Sequence, residues 1–194
     1  MKVDFREIKH LPNLISLFRL CLIIPCTILF QNIFKYESIR YYIVILCLTA
    51  YASDLLDGFI ARKTNQVSEL GKIIDPLADK VLVGAVALNL FFIHQMPTYY
   101  LFIILLRDVL IFVGGIFVTR KIGKVLPSNM LGKITVLSIG LFILIIILQF
   151  NPENYIYKIF LFISIMLSIS SLTGYILRAF ELLKWNKNET IQHK

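Results

Sequence analysis

The sequence predicts an all-α membrane protein, a six-transmembrane-helix bundle with a short N-terminal interfacial helix. Three observations predict it. Apolar residues fill 58% of the 194 positions and the mean hydropathy is +0.78, too apolar for a water-soluble domain of this size. Six windows approach the ~20 apolar residues that cross a bilayer: roughly 13–32, 39–61, 75–95, 98–119, 129–150 and 155–178. The interruptions at 32–38, 62–72, 95–98, 120–128 and 151–154 carry turn chemistry and charge.

Residues 2–10 set Val3, Phe5 and Ile8 against Lys2, Arg6 and Lys9, the pattern of a helix lying in the interface. No small-residue cleavage site follows and further spans do, so no removable signal peptide is expected. The first span carries Arg19, which reads as a cation snorkelling to the interface. The second and third spans meet across the polar stretch 62–72. The fourth carries the adjacent pair Arg107–Asp108, and the fifth and sixth are almost free of charge. Cys21, Cys26 and Cys47 lie in apolar stretches without a CxxC or a Cys/His cluster, so they read as small buried hydrophobes. His10, His94 and His193 receive no role. The Phe and Tyr residues read as lipid-facing or interfacial. With no internal repeat or low-complexity tract, residues 1–194 are expected to form a single domain.

The net charge of +8 has the wrong distribution for a nucleic-acid surface, because Lys and Arg sit at the ends of apolar segments. They concentrate at the N-terminus, at 62–72, at 120–124 and in the C-terminal tail, whereas the alternate connections hold only Lys35, Arg40 and Lys158. The positive-inside rule then places both termini, and the 62–72 end of the bundle, in the cytoplasm. A multi-pass protein of a bacterial inner membrane is the expectation.

That cytoplasmic end carries the chemistry. The run DLLDGFIARKTNQVSELGKIIDPLADK, residues 54–80, holds Asp54, Asp57, Asp75 and Asp79. Ionisable groups in a membrane segment are costly and rarely idle. Asp54 and Asp57 are spaced i, i+3 on one helix face, continued by Gly58 and Ala61; Asp75 and Asp79 are spaced i, i+4 on the next helix. Four like charges brought together repel strongly unless cations lie among them. Oxygen-only ligation suits a hard cation, Mg2+ or Mn2+. Two such ions between carboxylates neutralise phosphate charge and stabilise a leaving oxygen, while one carboxylate serves as general base. Gly58 and Ala61 keep the helix surface open for a large ligand; close helix packing is the alternative, although its usual interval is GxxxG. Arg62 is read as a phosphate contact, and Lys80 as either that or charge compensation. Asn13 reads as a helix cap or a nucleotide contact. Arg107 and Lys133 are candidate ligands of an acceptor phosphate, although Arg107 and Asp108 also fit an internal brace. A cation transporter is disfavoured, because its acids would be spread through the membrane depth.

In spacing the run is DxxDGxxAR, eight residues, then GxxxDxxxD. It resembles the CDP-alcohol phosphatidyltransferase family, whose motif is matched at Asp54, Asp57, Gly58, Ala61, Arg62, Gly71, Asp75 and Asp79. LPNLISLFR at 11–19 and SNMLGK at 128–133 resemble two further elements of that family. The resemblance implies transfer of a phosphatidyl group from CDP-diacylglycerol to an alcohol, with release of CMP, by a homodimer. It also implies metal ligation by Asp54, Asp57 and Asp75, with Asp79 as base and contact to a second metal. Gly58, Ala61 and Arg62, with Asn13, would line the CDP site, and Gly71 would support the turn. The Pro12–Asn13 and Gly132–Lys133 elements resemble members that use glycerol 3-phosphate. Arg107–Asp108, where Arg-Glu is expected, is more similar to cardiolipin synthases, whose acceptor is phosphatidylglycerol.

Overall fold

Each apolar window becomes helix because a chain in hydrocarbon must satisfy its backbone polar groups within the segment. A computed structural model describes residues 11–63, 71–122 and 130–192, and within them the side chains outside 11–12, 61–62, 71–77, 79 and 185–192. Every regular element among them is α-helical: α1 Leu11–Cys21, α2 Ile23–Gln31, α3 Ser38–Lys63, α4 Gly71–Phe92, α5 Thr98–Ile122, α6 Met130–Ile147 and α7 Tyr155–Gln192. The expected interfacial helix at 2–10 lies outside the described residues. The helices fall into two compact units, α1–α4 up to Met96 and α5–α7 from Pro97.

The first predicted span is divided, and Pro25 accounts for the break. Proline lacks an N–H and its ring crowds the carbonyl four residues back; here that is Cys21, the last residue of α1. The ladder resumes at once, with the Leu22 N–H donating to the Phe18 carbonyl and the Cys26 N–H to the Leu22 carbonyl, both at 3.1 Å. Asn13–Gln31 therefore remains one membrane-length apolar stretch of 19 residues.

Within this first unit α1 and α2 each pack against both α3 and α4. The buried stripe of α3 runs Ile39, Ile43, Ala50, Ser53, Asp57, changing from hydrocarbon to hydroxyl to carboxylate along a single face. Its other faces expose Tyr41, Ile45, Leu48, Leu55 and Phe59, the surface expected of a helix bathed in lipid. The third predicted span, 75–95, is realised in a helix of 22 residues, of which Lys80–Phe92 is the apolar stretch among the described residues. Its first turns hold Lys72, Asp75, Asp79 and Lys80, which hydrocarbon does not solvate. The other five stretches, ending with Tyr155–Lys184, are long and apolar enough to cross a bilayer. α4 closes on a left-handed residue, His94 (φ 59°), with the Gln95 N–H bonded to the Leu90 carbonyl and the His94 N–H to that of Phe91. α6 ends in the same way at Gln149.

In the second unit α7 packs on both α5 and α6. The Tyr100 and Ser164 hydroxyls lie 2.6 Å apart, and Arg107 Nη2 donates to Ser171 Oγ at 2.8 Å. Both pairs are separated by 64 residues. A constant offset with contacts one heptad apart means that α5 and α7 run parallel in a fixed register. Buried Ser164, Ser168 and Ser171 give α7 a face of small residues, on which a neighbouring backbone can approach closely. Thr135 Oγ1 donates to the Leu167 carbonyl at 3.1 Å, and edge-to-face contacts link Tyr100 to Phe142 and Phe142 to Tyr157.

Ser164 is fully buried at this seam. Ser164→Leu should therefore overpack it and strip Tyr100 of its hydroxyl partner, lowering stability by roughly 1–3 kcal/mol; unfolding in detergent or nanodiscs measures the change.

Candidate active site

The polar end of the α3 stripe meets a polar face of α1. Asn13, Ser16 and Arg19 follow one another at intervals of three on α1, and each is at most 1% exposed. Arg19 reaches across to α3. Its Nη1 donates to Asp54 Oδ1 at 3.0 Å, its Nε to Ser53 Oγ at 3.4 Å, and its Nη2 to Asp57 Oδ2 in a short contact. Ser16 Oγ donates to the same Asp57 oxygen at 3.2 Å. The Ser53 hydroxyl in turn donates to the Ala50 carbonyl at 2.7 Å.

This corrects the reading of Arg19 as a snorkelling cation. Snorkelling requires that the head group reach water or the interface, whereas this guanidinium is enclosed and neutralised by carboxylates. Asp57 is also buried, so it and Arg19 form a desolvated pair; removing one partner from such a pair typically costs about 3–5 kcal/mol. Asp54 differs, with a side chain that stays 36% exposed. Ser16 was missed in the sequence, although its spacing with Asn13 and Arg19 was a usable signal. Asn13 lies inside α1 and so does not cap it.

The expected proximity of Asp54 and Asp57 is thus realised around one guanidinium. Gly58 follows Asp57 on α3 and is half-buried, and Ala61 and Arg62 occupy its last turn. Gly71 opens α4, and Asp75 and Asp79 occupy positions i and i+4 of that helix. The side chains of Ala61, Arg62, Asp75 and Asp79 lie outside the described residues. What the fold supplies is a common wall, because α1 packs on both acid-bearing helices. Among the described side chains no group of three or more His, Cys, Asp or Glu is assembled. The donors present fit a hard divalent cation: Asp54 and Asp57 offer oxygen alone, and Arg19 engages one oxygen of each.

The second unit holds the other candidate cations. Arg107, 6% exposed in the middle of α5, donates from Nη1 to Asp108 Oδ1 at 2.5 Å and from Nη2 to Ser171. It does brace α5 to α7, yet its Nε is buried with no partner among the described residues. About two turns further along, Gly114 and Gly115 border Tyr175: a Cβ on either would come within 3.2 Å of its side chain. The Tyr175 hydroxyl is likewise buried without a partner. Lys133 stands exposed in the first turn of α6.

The sequence model of the CDP-alcohol phosphatidyltransferase family matches residues 9–170. Among curated proteins, the chain is 33% identical to the CDP-diacylglycerol–glycerol-3-phosphate 3-phosphatidyltransferase of Aquifex aeolicus (strain VF5), over 90% of this chain and 98% of that one. It is 33% identical to the protein of the same name from Rickettsia prowazekii (strain Madrid E), over 90% and 94% of the two chains. With the Bacillus subtilis (strain 168) protein of that name the identity is 40% over 46% of each.

Since Ser171 accepts one of the two bonds that the Arg107 guanidinium donates among the described residues, Ser171→Val should leave a second buried N–H unpaired. A loss of about 1–3 kcal/mol follows, readable as a lower unfolding temperature in the same detergent.

Proposed function

Because the chain belongs to the CDP-alcohol phosphatidyltransferase family, we propose that it transfers the phosphatidyl group of CDP-diacylglycerol to glycerol 3-phosphate and releases CMP. It is a multi-pass membrane enzyme of phospholipid biosynthesis. The choice of glycerol 3-phosphate is supported by relatives that carry it in their names and align over nearly their whole length. The family match extends through both compact units, which supports one functional domain over residues 1–194. Bacterial relatives and the distribution of Lys and Arg support an inner-membrane protein with its termini and acidic site in the cytoplasm. A homodimer belongs to the same reading.

The observation that carries the site assignment is the buried network that holds Asp54 and Asp57 together at the end of α3. In this reading Asp54, Asp57 and Asp75 hold a divalent cation, Mg2+ or Mn2+, and Asp79 also touches a second ion. The ions, when bound, neutralise the pyrophosphate and stabilise the departing phosphate oxygen. Gly58 and Ala61 leave space for the CDP moiety, Arg62 pairs with its phosphates, Asn13 contacts the nucleotide, and Gly71 lets the chain turn into α4. Arg107 and Lys133 bind the acceptor's phosphate, for which the unpaired Arg107 Nε is a ready donor. Asp79 takes the proton of the acceptor hydroxyl as its oxygen attacks the phosphorus bonded to diacylglycerol. The bond from that phosphorus to the CMP oxygen breaks, so that phosphatidylglycerol phosphate and CMP are formed.

Two experiments test this. In proteoliposomes supplied with CDP-diacylglycerol and Mg2+, CMP release should follow addition of glycerol 3-phosphate. The Arg107–Asp108 pair favours phosphatidylglycerol as the competing acceptor, and release with that lipid alone would replace the assignment by cardiolipin synthesis. Asp79→Asn should lower turnover by at least about 100-fold, as loss of a general base does, while CDP binding measured by calorimetry persists; full turnover would remove Asp79 from the mechanism.

A further inference from the structure

Arg19 is the strongest unassigned feature of the acidic end. It is the largest fully buried side chain of the described residues, and it bonds to two of the carboxylates assigned above to the metal. Three hydrogen bonds to α3, from Nε, Nη1 and Nη2, fix its plane against Ser53, Asp54 and Asp57. A cation so placed does two opposing things. It supplies the counter-charge without which two carboxylates, one of them fully buried, would repel each other in a poorly solvated place. It also sets a positive charge against any other cation that uses the same oxygens.

We infer that Arg19 is an internal counter-ion that shares Asp54 and Asp57 with the divalent metal, keeping the metal-free protein folded and weakening metal binding. The inference rests on the proposed assignment of those carboxylates as ligands. Arg19 is therefore a positioning residue: it acts through Asp54 and Asp57 by holding one oxygen of each against α1. The exposed part of Asp54 is the side from which a cation and its water reach the pair. A purely structural ion pair would behave differently, since its loss would lower stability equally with and without metal and would leave affinity unchanged.

The test uses the full chain in nanodiscs, as wild type, Arg19→Gln and Arg19→Lys, with two readouts that need no turnover. Unfolding temperature is measured in EDTA and in saturating Mg2+, and Mn2+ affinity is measured by electron paramagnetic resonance of the free ion. Arg19→Gln should unfold at a lower temperature than wild type in EDTA and gain more from Mg2+. Its Mn2+ affinity should be tighter by roughly tenfold, the scale on which a neighbouring unit charge shifts a carboxylate equilibrium. Arg19→Lys keeps a charge but lacks the planar fork that spans both acids, so it should move in the same directions by less; it carries the test alone if Arg19→Gln does not fold. Unchanged or weaker Mn2+ affinity in the variants, with binding intact in wild type, overturns the role of Arg19. No Mn2+ binding by wild type or any variant overturns the metal assignment and this inference with it.

Discussion

A guanidinium enclosed between two helices of a membrane protein must be neutralised where it lies, because neither lipid nor a packed core can solvate it. Arg19 meets that requirement with Asp57, Asp54 and the Ser53 hydroxyl, and the acidic end of the first unit is arranged around it. It fixes the face of α1 that is turned to α3, the face on which Ser16 also bonds to Asp57. It also holds together two acids that would otherwise separate. Since α1 packs on α4 as well, the helix that carries Arg19 is the common support of both acid-bearing helices.

The second unit solves the same problem with a different balance. Arg107 is also buried in a span and also bonds to a carboxylate and a serine hydroxyl. Here one positive charge meets one negative charge, and an N–H is left over. Around Arg19 one positive charge meets two negative ones among the described side chains. The first arrangement has an unpaired Nε among the described residues and suits a ligand rich in oxygen; the second gathers carboxylate oxygens, the donors that a hard cation takes. The rest of the second unit serves to hold Arg107 at its level, through the parallel register of α5 and α7 and the serine face that allows close approach.

Where the reading of windows and the structure part, local chemistry explains the difference. The window 13–32 runs through Pro25, and the helix breaks one turn before it because the Cys21 carbonyl loses its partner. The last helix continues past 178 to Gln192, roughly four turns further, since residues such as Glu181, Leu182 and Lys184 favour helix whether or not hydrocarbon surrounds them.

Helix formation is local. Hydrogen bonds four residues apart and a mostly apolar composition decide it, so the sequence alone determined the all-helical class, the membrane habit and the helical spacing of Asp54 and Asp57 on α3. What it could not determine is which cation those acids meet. Arg19 is 35 and 38 residues from its partners, and in the sequence it differs little from an arginine anchored at an interface. Only the packing of α1 on α3 decides that its side chain turns inward. The same holds for Arg107, whose bond to Ser171 spans 64 residues and depends on the register of two helices. Charges choose partners by distance in space, and that distance is a property of the assembled helices.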